Sequence, residues 1–208
     1  MTAAEVYGVS IAVLFVAIGL SISLAIRGRQ LRGLTTQELA TLALVICLLH
    51  IAVVPWQAAL AKVPGLDALV FSIPYTAIFL LGLRLVPKPG AATLLVFGQG
   101  LFGQILGRGV NPAWWPYYLM CAACVELLLA VAGYSLQSLW RMMAAGVVRG
   151  LVAYAYLYLI LAPFLWRQYY APWYIGLKTS LGILGCLVGA WFAWRISPAV
   201  ERASRFSS

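Results

Sequence analysis

Along these 208 residues, apolar runs of about twenty follow one another with only short joints between them, and that rhythm leaves the chain few possible folds. A helix needs ~20 mostly apolar residues to cross the hydrocarbon of a bilayer. Hydrophobic residues make up 64% of the chain and charged residues 9%, whereas a soluble domain carries roughly 25% charged residues. Lipid must therefore be the solvent for most of the surface. The expected fold class is all-α, a polytopic membrane protein with spans near 7–26, 36–55, 68–86, 91–107, 113–134, 142–164 and 173–196. Seven such spans use up the length and leave no room for a soluble domain.

The joints carry their own signals. Thr35-Thr36 followed by Glu38 is a capping signal at the start of the second span. Pro87-Lys88-Pro89-Gly90 reads as a tight turn. Asn111-Pro112 and Pro172 open the spans that follow them, because proline at a helix start loses a hydrogen bond that was never to be made. The first apolar run has no basic stretch before it and has Arg27, Arg29 and Arg32 after it, so it reads as a retained helix rather than a cleaved signal.

The formal net charge of +9 does not point to nucleic acid, since the basic residues are scattered over the joints instead of gathered on one segment. Their distribution fixes an expected orientation. With the 27–35 loop inside, the cytoplasmic side collects Arg27, Arg29, Arg32, Arg84, Lys88, Arg141, Arg195, Arg202 and Arg205, against Lys62, Arg108 and Arg167 outside. The N-terminus is then expected outside and the C-terminus in the cytoplasm. Arg149, Lys178, Glu126 and His50 are left at membrane depth, where an ionisable group is costly unless paired or hydrated.

Aromatic residues are distributed unevenly. Trp56, Trp114, Trp115, Trp166 and Trp173, with Tyr117, Tyr118, Tyr169, Tyr170 and Tyr174, crowd the three joints assigned to the outside. A symmetric interfacial belt would share them between both sides. Aromatic rings with polar tips suit a cover over a planar or cationic ligand. The expected pocket is built from Trp56, Tyr75, Gln99, Gln104, Asn111, Trp114, Tyr118, Tyr170, Trp173 and Lys178. The aromatics would stack, the amides would hydrogen-bond, and Lys178 would meet an anionic or carbonyl group. Glu126 and Arg149, at similar depth on successive spans, are expected to form an ion pair that is structural or answers to a cytoplasmic partner.

Other chemistries are poorly provided for. Gly98-Gln-Gly-Leu-Phe-Gly103 matches a dinucleotide fingerprint but follows no strand and lies inside a span. Gly103 with Gly107, and Gly182 with Gly185 and Gly189, read instead as close-packing helix faces. Cys121-x-x-Cys124 lies within a span without partner ligands, so no metal or other cofactor is expected. There is no P-loop, and five acidic residues with one histidine supply no catalytic dyad or triad; an enzyme is not expected.

The run Pro87-Lys-Pro-Gly-Ala-Ala92, an apolar helix ending at Gly107, Asn111-Pro112 and a span bearing Glu126 resemble the S component, or substrate-binding subunit, of an energy-coupling factor (ECF) transporter. The likeness is to the group I type associated with thiamine or its hydroxymethylpyrimidine, and it covers roughly residues 36–196. It implies a six-helix binding domain over 36–208, with 1–35 as an extra N-terminal helix and basic loop. It implies capture of a vitamin-like aromatic molecule from outside, for a multi-pass cell-membrane importer completed by a T subunit and two cytoplasmic ATPases. The chain departs from the thiamine type where that type carries acidic residues: here stand Ser72 and Gly103-Gln104. The small-x-x-x-small face that the family uses against the T subunit is only approximate, at Thr36-x-x-x-Ala40. Two other readings stay open, the same role for a tetrapyrrole and a non-transporting scaffold of the rod-shape type.

Overall fold

The computed structural model describes residues 33–60, 65–107 and 109–205. The expected first span at 7–26 and the basic loop after it lie outside the described residues, as do Lys62 and Arg108 and the side chains of Trp56 and Arg205.

Six helical rods follow one another: α1 (Thr36–Leu60), α2 (Leu66–Leu85), α3 (Ala91–Gly107), α4 (Trp115–Val131), α5 (Leu139–Leu165) and α6 (Pro172–Arg205). A single 3₁₀ turn, Pro112–Trp114, leads into α4. Four of them, α1, α2, α5 and α6, are long and apolar enough to cross a membrane, while α3 and α4 are shorter apolar helices of 17 residues. The expectation of an all-α membrane protein holds at that level.

Local chemistry sets the boundaries. Thr35 and Glu38 form a reciprocal capping box: the Thr35 N–H donates to Glu38 Oε2 at 2.8 Å, and the Glu38 N–H donates to Thr35 Oγ1 at 3.3 Å. The Pro87–Gly90 turn reverses the chain, with Gly90 at φ +89°, a conformation that suits a residue without Cβ. Lys88 of this turn reaches back to the Gly33 carbonyl at 2.8 Å and forms an ion pair with Glu38, so the start of α3 is tied to the start of α1. Within α5, residues Leu157–Leu161 widen into a π segment just before Pro163. Proline removes an N–H and crowds the carbonyl four residues earlier, here Leu159, and a π turn absorbs that misfit.

The helices close into a ring in the order α1, α2, α6, α5, α4, α3 and back to α1. Glycines set its most extensive interface, α2 against α6. A Cβ on Gly185 would lie 2.5 Å from the Leu69 carbonyl oxygen, and one on Gly189 would lie 2.4 Å from that of Ile73. The close-packing face expected in the last span is therefore real, its third member Gly182 giving room to the Tyr154 ring of α5. On α3 the picture differs from expectation. Gly103 does face a neighbour, since a Cβ placed there would stand 3.2 Å from His50 Cε1 of α1, but Gly107 faces open space. Gly98 and Gly100 take the expected place of Gly107, the first against Ile46 and the second beneath the Tyr118 ring.

Leu42, Leu49, Phe79, Leu80, Leu95, Val125 and Met142 fill the centre. Outward-facing Leu44, Ile51 and Val131 are 71%, 73% and 85% exposed, an apolar exterior that only lipid suits. Because the rods alternate in direction, one end of the ring gathers Arg84, Lys88, Arg141, Arg195 and Arg202. Arg84 there meets Glu201 at 2.5 Å, which pins α2 to the long tail of α6. The opposite end carries Trp114, Trp115, Trp166 and Trp173 with Tyr117, Tyr118, Tyr169, Tyr170 and Tyr174, and of the basic residues only Arg167 and Lys178 among those described.

Candidate functional site

At the aromatic end, the joint between α3 and α4 is held by an amide. Gln104, on the last turn of α3, donates to the Asn111 carbonyl at 3.2 Å and accepts from the Asn111 N–H at 3.0 Å. Both faces of the Gln104 amide thus serve the backbone of the joint. Gln104, expected to contact a ligand, acts here as a clasp that positions Trp114 one turn later.

Trp114 is the centre of an aromatic group. Its ring stacks on Tyr118 with centroids 6.4 Å apart, meets Tyr117 edge-on at 6.0 Å, and meets Trp166, just past the end of the neighbouring α5, at 5.7 Å. Tyr117 also packs on Tyr156 of α5 at 5.7 Å. Below it, Tyr75 of α2 donates its hydroxyl to Gln99 Oε1 of α3 at 3.2 Å. The guanidinium carbon of Arg149 lies 3.5 Å over the centroid of the Tyr75 ring. A polar and aromatic seam therefore runs from the Trp114–Trp166 pair through Tyr117 and Tyr118 to Tyr75, Gln99 and Arg149.

A second aromatic group lies on the other side of α5. Tyr154 and Tyr158 stack at 6.3 Å, as side chains four residues apart on one helix face can do. Tyr158 meets Tyr170 at 5.4 Å and Tyr174 at 6.4 Å, and Tyr170 stacks on Tyr174 at 5.3 Å. Tyr154 is anchored by Ser72 at 3.1 Å and by the Ala68 carbonyl. Lys178 is buried against this group and paired with Asp67. The role expected of Lys178, meeting a ligand anion, is already taken by that carboxylate. Trp173, 70% exposed, faces outward and joins only Tyr174.

The ten expected pocket residues therefore divide. Tyr75, Gln99, Gln104, Asn111, Trp114 and Tyr118 belong to the seam; Tyr170, Trp173 and Lys178 belong to the tyrosine group; the Trp56 side chain is outside the described residues. Tyr156, Tyr154 and Tyr158 were missed. Their signal was the spacing Tyr154-x-Tyr-x-Tyr158, which sends alternate rings to opposite sides of α5.

Glu126 and Arg149 do not pair. Glu126, fully buried on α4, takes the Thr93 N–H at 3.1 Å and the Thr93 hydroxyl at 3.4 Å. It thus satisfies the open first turn of α3, whose free N–H groups and dipole favour an anion. Two side chains at like depth on adjacent helices face different neighbours because α4 presents Glu126 to α3, not to α5. Glu126→Ala leaves Thr93 N–H buried without an acceptor and is expected to lower stability by about 1–3 kcal/mol, with Glu126→Gln recovering part of the loss; thermal unfolding in detergent measures both.

Comparison with known protein families, with characterised proteins and with solved structures finds no match for this chain.

Proposed function

We propose that this chain is the substrate-capturing membrane subunit of an importer of the energy-coupling factor type, taking up a small planar aromatic molecule at its aromatic end. In this reading the ring over 36–205 is the binding unit, the N-terminal apolar run adds a seventh span, and the basic end faces the cytoplasm. The observation that carries it is the seam from Trp114 and Trp166 to Arg149. Polar side chains inside a lipid-embedded bundle are costly and are kept where something polar must be met.

The seam also bears on which aromatic molecule suits it. Among the described residues, all four carboxylates serve other partners: Glu38 with Lys88, Asp67 with Lys178, Glu126 with Thr93 and Glu201 with Arg84. None of these four faces the seam, so the cationic thiazolium of thiamine is disfavoured against its neutral pyrimidine. The rival reading, a scaffold of the rod-shape type, is favoured by one feature: Trp114, Tyr117, Tyr118 and Trp166 pack on one another.

Tryptophan fluorescence of the purified full chain decides between them. Titration with hydroxymethylpyrimidine, thiamine and haem is expected to give saturable quenching by the pyrimidine that is lost in Trp114→Phe. A Soret-type absorbance band in the purified protein would move the substrate to a tetrapyrrole. Absence of quenching by all three, with failure to co-purify with a T subunit and paired ATPases on co-expression, would leave the scaffold reading standing.

A further inference from the structure

Arg149 is the least compensated charge among the described residues. It is only 8% exposed, at the centre of the ring and ten residues into α5. Its guanidinium face is covered by Tyr75. Its Nε is buried and donates to nothing. The titratable groups around it include Tyr75 of α2, Tyr117 and Cys121 of α4, Tyr154 of α5 and Cys186 of α6; none of these is a carboxylate. The described carboxylates are engaged elsewhere, as set out above, and the fifth, Glu5, lies outside the described residues.

An arginine stays charged in any protein environment, so burial cannot neutralise it as it would a lysine. A buried charge is normally matched by an opposite one, and taking one partner away is strongly destabilising. The Tyr75 ring offers a cation–π contact, well short of what desolvating the guanidinium costs. It also covers the π face and leaves Nε without an acceptor. A carboxylate oxygen would accept from that N–H in a charge-assisted hydrogen bond.

We propose that Arg149 is the recognition group for the carboxylate of an aromatic acid, whose ring lies along the seam towards Trp114. This rests on the reading of the seam as a small-molecule site and moves its substrate class from a neutral aromatic to an anionic one. The lack of a counter-ion among the described residues is then the means of selection. A cation is repelled, a neutral isostere leaves the guanidinium unmatched, and an aromatic carboxylate satisfies both ends of the seam.

The test is a thermal-shift titration of the full chain in detergent at constant ionic strength, with benzoate, its neutral isostere benzamide, and acetate. Benzoate is expected to stabilise saturably, with an apparent affinity roughly 10–100-fold above that of benzamide, since a hydrogen bond to a charged group is worth about 1.5–3 kcal/mol. Arg149→Met is expected to erase that preference. It is also expected to leave the ligand-free melting temperature unchanged or higher, because it removes an unmatched buried charge. A lower ligand-free melting temperature in Arg149→Met, repeated in Glu5→Gln, overturns the inference by identifying Arg149 as half of a structural ion pair. Equal binding of benzoate and benzamide, lost in Trp114→Ala, overturns the anion preference and keeps the aromatic site. Binding of acetate as strong as benzoate, untouched by Trp114→Ala, keeps the Arg149 anion site and overturns the aromatic one. No shift with any of the three overturns both.

Discussion

Gly189→Leu is expected to prevent this chain from reaching its folded state. The Cβ alone would lie 2.4 Å from the Ile73 carbonyl oxygen and 3.0 Å from Thr76 Cβ, and the leucine adds three carbons beyond it. The blocking atoms belong to the backbone and to the stem of a neighbouring side chain, so no rotamer change opens space. The two rods must separate. Overpacking a close interface costs typically ~1–3 kcal/mol per site and more where backbone must move, and α2 against α6 is the interface on which the ring depends most. Gly185→Leu is expected to behave alike, through the Leu69 carbonyl at 2.5 Å. Gly176, on the same helix but with open space around it, is the control. Gly176→Ala is expected to be neutral or stabilising by about 0.4–1 kcal/mol, because alanine suits a helix better than glycine. Size-exclusion profiles and thermal unfolding of the three variants separate these outcomes.

The second large effect is expected at the Asp67–Lys178 pair. Lys178 retains only 8% exposure of its side chain while Asp67 keeps 32%, so the two truncations are unequal. Asp67→Ala strands a buried ammonium and is expected to cost about 3–5 kcal/mol. Lys178→Ala leaves a carboxylate that water can still reach, and its loss should be smaller. The double variant Asp67→Asn with Lys178→Met removes both charges and is expected to recover most of the stability. A double-mutant cycle closed with the single variants Asp67→Asn and Lys178→Met, measured by thermal unfolding, reads the coupling directly. Should Lys178→Ala alone be the more damaging, the lysine is doing more than answering Asp67, and the ligand role first expected of it returns.

These two sites show how differently sequence reports on structure. The Gly182, Gly185, Gly189 spacing was legible because a helix puts residues three and four apart on one face, and small residues on a face signal close approach whatever the partner. The identity of the partner, α2, was not. The Asp67–Lys178 pair was invisible because its members are 111 residues apart and meet only when α2 and α6 lie side by side. The expected Glu126–Arg149 pair failed for the converse reason. Depth along a rod can be counted from sequence, whereas rotation about its axis depends on packing, and these helices are apolar nearly all round and give little clue to it.

The aromatic end divides in the same way. One-sided enrichment in tryptophan and tyrosine was readable from the joints, and six of the expected pocket residues do lie along one seam. The splitting of the rest into a separate tyrosine group came from α5, which stands between the two groups. Sequence by itself determined that this chain is helical and apolar, where most rods begin and end, and which end gathers the basic residues; these follow from hydropathy, capping and proline, all local. Only the tertiary structure decided which rods are neighbours, which charges are matched, and that Arg149 stands at the centre of the ring with its Nε lacking an acceptor. Those are relations between distant segments, set by how six rods close on one another.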